Sequence, residues 1–325
     1  MKRNIFRQLL VGVFVLTLAA CGGGGGSSTP LADPGPPPPG GATPVTPVVP
    51  DTPQPDYATA EGLIATITNV TVGPPMKVDF MVTDSFGIAI QDLTSSNVRF
   101  TVAKLIPAAN GSSSAWQSYI NRVKTPNVNP ANAPAVQATS ESGGTLDNYG
   151  DGTYTYTMKT DITNVTSPLA VSYDSGFTHR VAIQFSGGPT SNPAYDWVPA
   201  TGATTGIETR DIVSVDSCNS CHDPLALHGG GRVDPKLCVT CHNPGTTEPN
   251  SLNTVDFKVM IHKIHRGKNL PSVVAGGVYE IYGYRDSRHD YSHLAYPQDI
   301  RNCTKCHAGT GTGTAGDILT TDGDN

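Results

Sequence analysis

Six of the chain's seven cysteines fall into three copies of one pattern. These are Cys218-Asn219-Ser220-Cys221-His222, Cys238-Val239-Thr240-Cys241-His242 and Cys303-Thr304-Lys305-Cys306-His307. The pattern is the attachment signature of c-type haem. Its spacing has a physical reason. Two thioethers must reach the two vinyl groups on one edge of a porphyrin, and the next residue must swing its imidazole beneath the iron. The residues therefore point to three covalently bound haem c groups. Cys218, Cys221, Cys238, Cys241, Cys303 and Cys306 are the thioether positions. His222, His242 and His307 are the proximal iron ligands.

Other uses of paired cysteines fit less well. Cys221 and Cys238 are separated by sixteen residues, so the first two pairs also have the spacing of a zinc ribbon. A ribbon needs no histidine after each pair and leaves the third pair idle. A thioredoxin-like redox motif needs a βαβ context that is missing. A disulfide framework suits an exported protein but leaves the histidines unexplained.

Haem iron has a second axial position, and the ligand there separates electron transfer from chemistry on a bound substrate. Beyond the proximal three, the last third of the chain holds His228, His262, His265, His289 and His293. His228 precedes Gly229-Gly230-Gly231, where a haem can come close to the backbone. His262 and His265 lie three apart on a candidate helix over residues 255–266, on neighbouring faces. They cannot both serve one iron, but they can serve two haems flanking the helix. These three are the expected distal ligands. His289 and His293 sit in a polar stretch and are expected to be solvated, with distal ligation as the alternative. Three bis-histidine irons leave no open position, so the expected role is an electron carrier with no catalytic residues. A haem-based small-molecule reductase with an open axial site is the competing reading.

Something must position these groups. From residue 210 onward strand alternation stops, turn residues dominate and aliphatic residues are few. The region reads as a loop-rich trihaem domain, 210–325, in which haem supplies the apolar bulk. Such a domain should not fold without its cofactor. Tyr279, Tyr282, Tyr284, Tyr291 and Tyr296 are expected to pack on porphyrin faces or line the surface.

Ahead of it, residues 57–209 carry period-two alternation. Val78, Phe80 and Val82 alternate with polar residues, as do Val98, Phe100 and Val102, then Tyr154, Tyr156 and Met158, then Val181, Ile183 and Phe185. This predicts half-buried antiparallel strands in one sandwich or small barrel. Its one histidine, His179, is expected at the surface or in packing.

The N-terminus reads as targeting. Lys2, Arg3 and Arg7 precede an apolar run over 9–20 that is too short to span a bilayer. The run ends in Leu18-Ala19-Ala20-Cys21, which resembles the lipobox of bacterial lipoproteins. Residues 1–20 are then a signal peptide and Cys21 the lipidated first residue. Residues 21–56, rich in glycine, proline, serine and threonine, cannot bury a core and form a tether. The chain's formal charge of −6, with no basic run, argues against a nucleic-acid partner.

Several stretches together resemble a known family, the outer-membrane decahaem c-type cytochromes of metal-reducing bacteria (the OmcA/MtrC family). They are Asp151-Gly152-Thr153-Tyr154-Thr155-Tyr156, Thr209-Arg210-Asp211-Ile212-Val213, His228-Gly229-Gly230-Gly231-Arg232-Val233-Asp234, Met260-Ile261-His262-Lys263-Ile264-His265 and Pro297-Gln298-Asp299-Ile300-Arg301-Asn302-Cys303, along with the haem motifs. The resemblance implies a Greek-key split barrel followed by a closely packed haem domain with bis-histidine ligation. It also implies a lipoprotein on the outer membrane, facing the exterior. Such a protein would take electrons from a porin–cytochrome conduit or other cytochromes and pass them to extracellular metal oxides, metal complexes or flavins. Family members carry two β domains and two haem domains with five haems in each. Three motifs before Asn325 imply a haem domain shortened relative to that pattern.

Overall fold

The computed structural model describes residues 54–307, which belong to one compact unit. The leader over 1–20, Cys21 and nearly all of the tether lie outside the described residues. Ten strands come first: β1 (Ile64–Thr71), β2 (Lys77–Thr83), β3 (Val98–Ile106), β4 (Ala115–Ser118), β5 (Asn121–Lys124), β6 (Ala135–Ala138), β7 (Thr145–Asn148), β8 (Thr153–Thr157), β9 (His179–Phe185) and β10 (Ala194–Trp197). Short helices follow: α1 (Val215–Asn219), α2 (Pro235–Cys238), α3 (Phe257–Arg266) and α4 (Pro271–Val274). A small hairpin, β11 (Glu280–Tyr282) with β12 (Arg288–Asp290), completes the set.

The strands form two four-stranded antiparallel sheets, ordered β1-β2-β8-β7 and β10-β9-β3-β4. The chain changes sheet between β2 and β3, returns between β4 and β7 by way of the separate β5–β6 hairpin, and changes again between β8 and β9. The alternation read in the sequence sets which side chains meet. Val78, Phe80 and Val82 from β2 face Phe100, Val102, Val181, Ile183 and Phe185 from the second sheet. Phe80 stacks on Tyr154 at 5.4 Å and Phe100 on Tyr156 at 4.1 Å. Each such pair contributes about 0.5–1.5 kcal/mol beyond its burial.

One expectation changes in the second sheet. Half-buried strands should show a polar outer face, yet β9 is buried along its whole length and β3 nearly so. The reason lies beyond residue 210. The later segment covers the outer face of this sheet, so Arg180, Ala182 and Gln184 are buried as well as Val181, Ile183 and Phe185. His179 points the other way, into the core. Its Nε2 is 2.8 Å from the Tyr119 hydroxyl and its Nδ1 is 2.9 Å from the Phe177 carbonyl. Burial pushes this imidazole below its ordinary value.

The cover is held by specific contacts. Val239, between two haem-motif cysteines, packs on Ala103, Leu105 and Trp116. The guanidinium of Arg180 donates to Asp196 at 2.6 Å through both Nε and Nη2 and to Asp211 at 2.7 Å, and it lies 4.5 Å over the Trp116 ring. Arg232 donates to Gln184 at 2.9 Å, and the Ser118 amide donates to Asn243 at 2.8 Å. Gly231 lets the chain pass close to Gln184, since a Cβ at that position would lie 2.8 Å from Gln184 Nε2.

A second attachment comes from the β5–β6 hairpin. Lys124 pairs with Asp286 at 3.1 Å, Gln137 donates to the Thr247 carbonyl at 2.9 Å, and Asn129 and Asn132 both bond Asn250. The buried carboxylate of Glu248 accepts from the amides of Asn250 and Ser251, each at 2.8 Å, and so fixes the loop that the hairpin grips.

Candidate haem centres

Each Cys-x-x-Cys-His run is one helical turn. In the first, on α1, Ser214 caps the helix by accepting from the Ser217 amide at 3.1 Å, and the amides of Cys221 and His222 return to the Cys218 carbonyl at 3.1 and 3.0 Å. In the second, on α2, Asp234 accepts from the Lys236 amide at 2.8 Å, Pro235 opens the helix, and Cys241 and His242 return to Cys238 at 3.1 and 2.9 Å. In the third, a 3-10 turn over Cys303–Lys305, Cys306 and His307 return to Cys303 at 3.1 and 2.9 Å. A turn of this kind puts the two sulfurs and the imidazole on one side of the backbone.

Helix α3 starts at Phe257, two residues later than the sequence suggests. Asp256 supplies the cap by accepting from the Lys258 amide at 3.0 Å. It ends at Gly267, with φ +43°. A Cβ there would meet the Leu294 carbonyl at 2.3 Å, so the chain can turn only through glycine.

The structure brings the histidines together in three pairs. His222 and His265 have ring centroids 6.1 Å apart, His242 and His228 6.1 Å, and His307 and His262 6.0 Å. Each pair joins one attachment-motif histidine to one of the three expected distal residues. A metal–imidazole nitrogen bond is about 2 Å, and the ring centre lies roughly 1 Å behind the nitrogen, so two imidazoles on opposite sides of one ion have centroids about 6 Å apart. The three spacings match that figure.

The hydrogen bonds agree. Nδ1 of His242 meets the Val255 carbonyl at 2.8 Å, that of His262 the Lys258 carbonyl at 2.6 Å, that of His265 the Ile261 carbonyl at 2.9 Å and that of His307 the Ile212 carbonyl at 3.4 Å. A carbonyl can only accept, so Nδ1 carries the proton and Nε2 keeps its lone pair for a metal. Burial pushes the His242 and His307 imidazoles down. His228 sits at φ +52° in its turn, with its ring exposed on one side. Desolvation, then Arg232 and His242, lower it to about 4. Neutral imidazole is the form that ligates.

Burial pushes the Cys238 thiol up to about 12 and raises Cys241 too. Among the described residues no three His, Cys, Asp or Glu side chains converge as a metal cluster. The six described cysteines carry no disulfide. Gly229 and Gly230 face open space, leaving room for a flat group beside His228. The residues present therefore fit three haems.

The residues from 210 to 323 match the family described as outer membrane cytochrome MtrC/MtrF-like, domains II/IV, and those from 64 to 204 match the OmcA-like N-terminal domain. The chain is 33% identical to the outer membrane decaheme cytochrome OmcA, whose crystal structure it matches with a TM-score of 0.74 over 82% of its own length. The chain belongs to the OmcA/MtrC family. It is also 29% identical, over 217 residues and 63% of its length, to the multiheme cytochrome MtrC of Shewanella baltica (strain OS185). It spans 43% of the OmcA chain and 30% of that MtrC.

Within this family frame, the remaining candidates divide clearly. His289 lies on β12, exposed, with Nε2 3.0 Å from the Ser287 hydroxyl, and His293 is exposed. Neither is brought to an attachment-motif histidine. The tyrosines separate as well. Tyr279 is buried against Tyr291 and beneath the Lys263 ammonium, Tyr284 is 79% exposed, and Tyr296 sets its ring edge to His265 at 5.6 Å. Sequence reasoning did not find Arg180, Asp211 or Asn243, which seat the second motif on the sheet. A charged residue at an outward strand position is ordinarily solvated, so Arg180 gave no local signal.

Proposed function

We propose that this chain is a trihaem electron carrier of the outer cell surface. The observation that carries the reading is the set of three histidine pairs at a spacing suited to one metal each. In this assignment His222 and His265 share one iron, His242 and His228 a second, and His307 and His262 a third. The cysteines of the three motifs are the thioether positions. Bound there, bis-histidine haem supplies one-electron exchange with no open position for substrate. The chain's own residues hold the pairs fixed. The carbonyls of Val255, Lys258, Ile261 and Ile212 set the imidazole tautomers, so the ligand set need not rearrange between oxidation states.

Helix α3 holds His265 and His262, which face the first and third motif histidines, within one turn, so those two centres share one helix. The domain assignment that goes with this reading is a signal peptide over 1–20, a tether over 21–56 lipidated at Cys21, a β domain over 57–209 and the trihaem domain over 210–325. Family membership supports an outer-membrane site, a porin–cytochrome conduit or another cytochrome as donor, and extracellular metal oxides, metal complexes or flavins as acceptors.

The test is intact mass and absorption after expression with the cytochrome c maturation machinery. A gain of three haems with low-spin reduced bands is expected. No gain would return the cysteines to zinc or disulfides. High-spin character would mean an open iron and favour the small-molecule reductase. The pairing is tested separately. His265→Met, His228→Met and His262→Met should each alter one spectral component. The component altered by His265→Met should be the one missing when Cys218 and Cys221 are changed to serine. A mismatch would overturn the pairing.

A further inference from the structure

A cleft of about 320 Å³ lies between the C-terminal end of α3 and the loop over 296–301. His265, Arg266, Asn269, Tyr296, Asp299 and Arg301 are among its walls. It adjoins the first haem centre, because His265 faces His222 and Tyr296 packs on His265. A haem fixed by thioethers still carries two propionates, anions that a guanidinium beside the site can pair with. The cleft offers two cations, and they differ. Arg301 is already committed. Its Nε and Nη2 donate to Asp299 at 3.0 and 2.6 Å, which holds that carboxyl down at about 2. Arg266 has no carboxylate partner among the described residues. Its Nε donates to the Asn269 carbonyl at 3.1 Å, which anchors the guanidinium and leaves both Nη groups for an anion.

We propose that Arg266 is the counter-ion of the haem held by His222 and His265. The proposal rests on the haem reading above. A positive charge beside a haem favours the reduced iron, so Arg266 raises the potential of this centre relative to a site without it.

The experiment is a spectroelectrochemical titration of the matured full-length chain. The component of the first centre is identified as the one that His265→Met alters. Arg266→Gln should shift the midpoint of that component to a more negative value and leave the other two in place. Arg266→Lys should restore most of the shift, because it returns the charge. Lys268→Gln, which removes the same charge two residues on, should leave the component unmoved. An unshifted component in Arg266→Gln, an equal shift in all three, or the same shift in Lys268→Gln would overturn the proposal. Intact mass distinguishes the two levels of failure. Three haems with no selective shift would defeat the counter-ion alone, whereas loss of the haem from wild-type protein would defeat the haem reading and the counter-ion with it.

Discussion

Produced without cytochrome c maturation, the chain should keep its β sandwich and lose ordered structure from about residue 210 onward. The two parts bury very different amounts of apolar surface. The sandwich packs Phe80, Phe100, Tyr154, Tyr156, Val181, Ile183 and Phe185 in a single core with many others. Among the described residues beyond 210 the buried apolar side chains are Leu237, Cys238, Cys241, Val255, Leu270 and Tyr279. Haem is the apolar bulk that this segment otherwise lacks. Hydrogen exchange of apo and matured protein measures this directly. Protection in β2 and β8 should survive in the apo form, and protection in α2, α3 and the β11–β12 hairpin should vanish. If the latter elements stayed protected without haem, the segment would have a core of its own and the cofactor would not be its source of stability.

The second large effect is expected at Arg180. Its side chain has no solvent exposure, and its two carboxylate partners are 14% and 18% exposed. Burial disfavours the charge, but hydrogen bonding and attraction to Asp196 and Asp211 outweigh it and keep the group protonated. Arg180→Leu removes the cation, leaving Asp196 without its partner in a poorly solvated seam and Asp211 with the Lys236 ammonium alone, at 3.0 Å. Breaking a buried ion pair in this way costs about 3–5 kcal/mol. Arg180→Lys should recover only part of it, because an ammonium cannot bond Asp196 through a fork and Asp211 at the same time. The loss should appear as a lower Tm and as faster proteolysis near Asp211, where the segment leaves the sandwich. Replacing Arg180, Asp196 and Asp211 together by apolar residues of similar volume should restore much of the stability. If Arg180→Leu were as stable as wild type, the ion network would not be what fastens the haem segment to β9.

Much of this could be read along the chain. The three attachment motifs stand out because their chemistry lies within five consecutive residues. The period-two runs around Phe80, Phe100, Tyr154 and Ile183 reported strands because side-chain direction alternates with backbone geometry. His262 and His265 pointed in different directions because both sit on one helix. Less visible was the burial of β9 on both faces. Arg180 and Gln184 read as outward, solvent-facing positions, and only the segment folded over them makes them interior.

The sequence by itself determined the haem chemistry, the β character of the region before residue 210 and the candidates for both axial ligands. These depend on neighbours within a turn or a strand, where covalent geometry fixes distance. Only the tertiary structure decided which histidine faces which, that the second motif is seated on β3, β4 and β9, and that Arg266 stands beside His265 with no carboxylate partner among the described residues while Arg301 is paired with Asp299. Each of these joins residues far apart in the chain. Their separation is set by how the whole chain packs, and no local spacing encodes it.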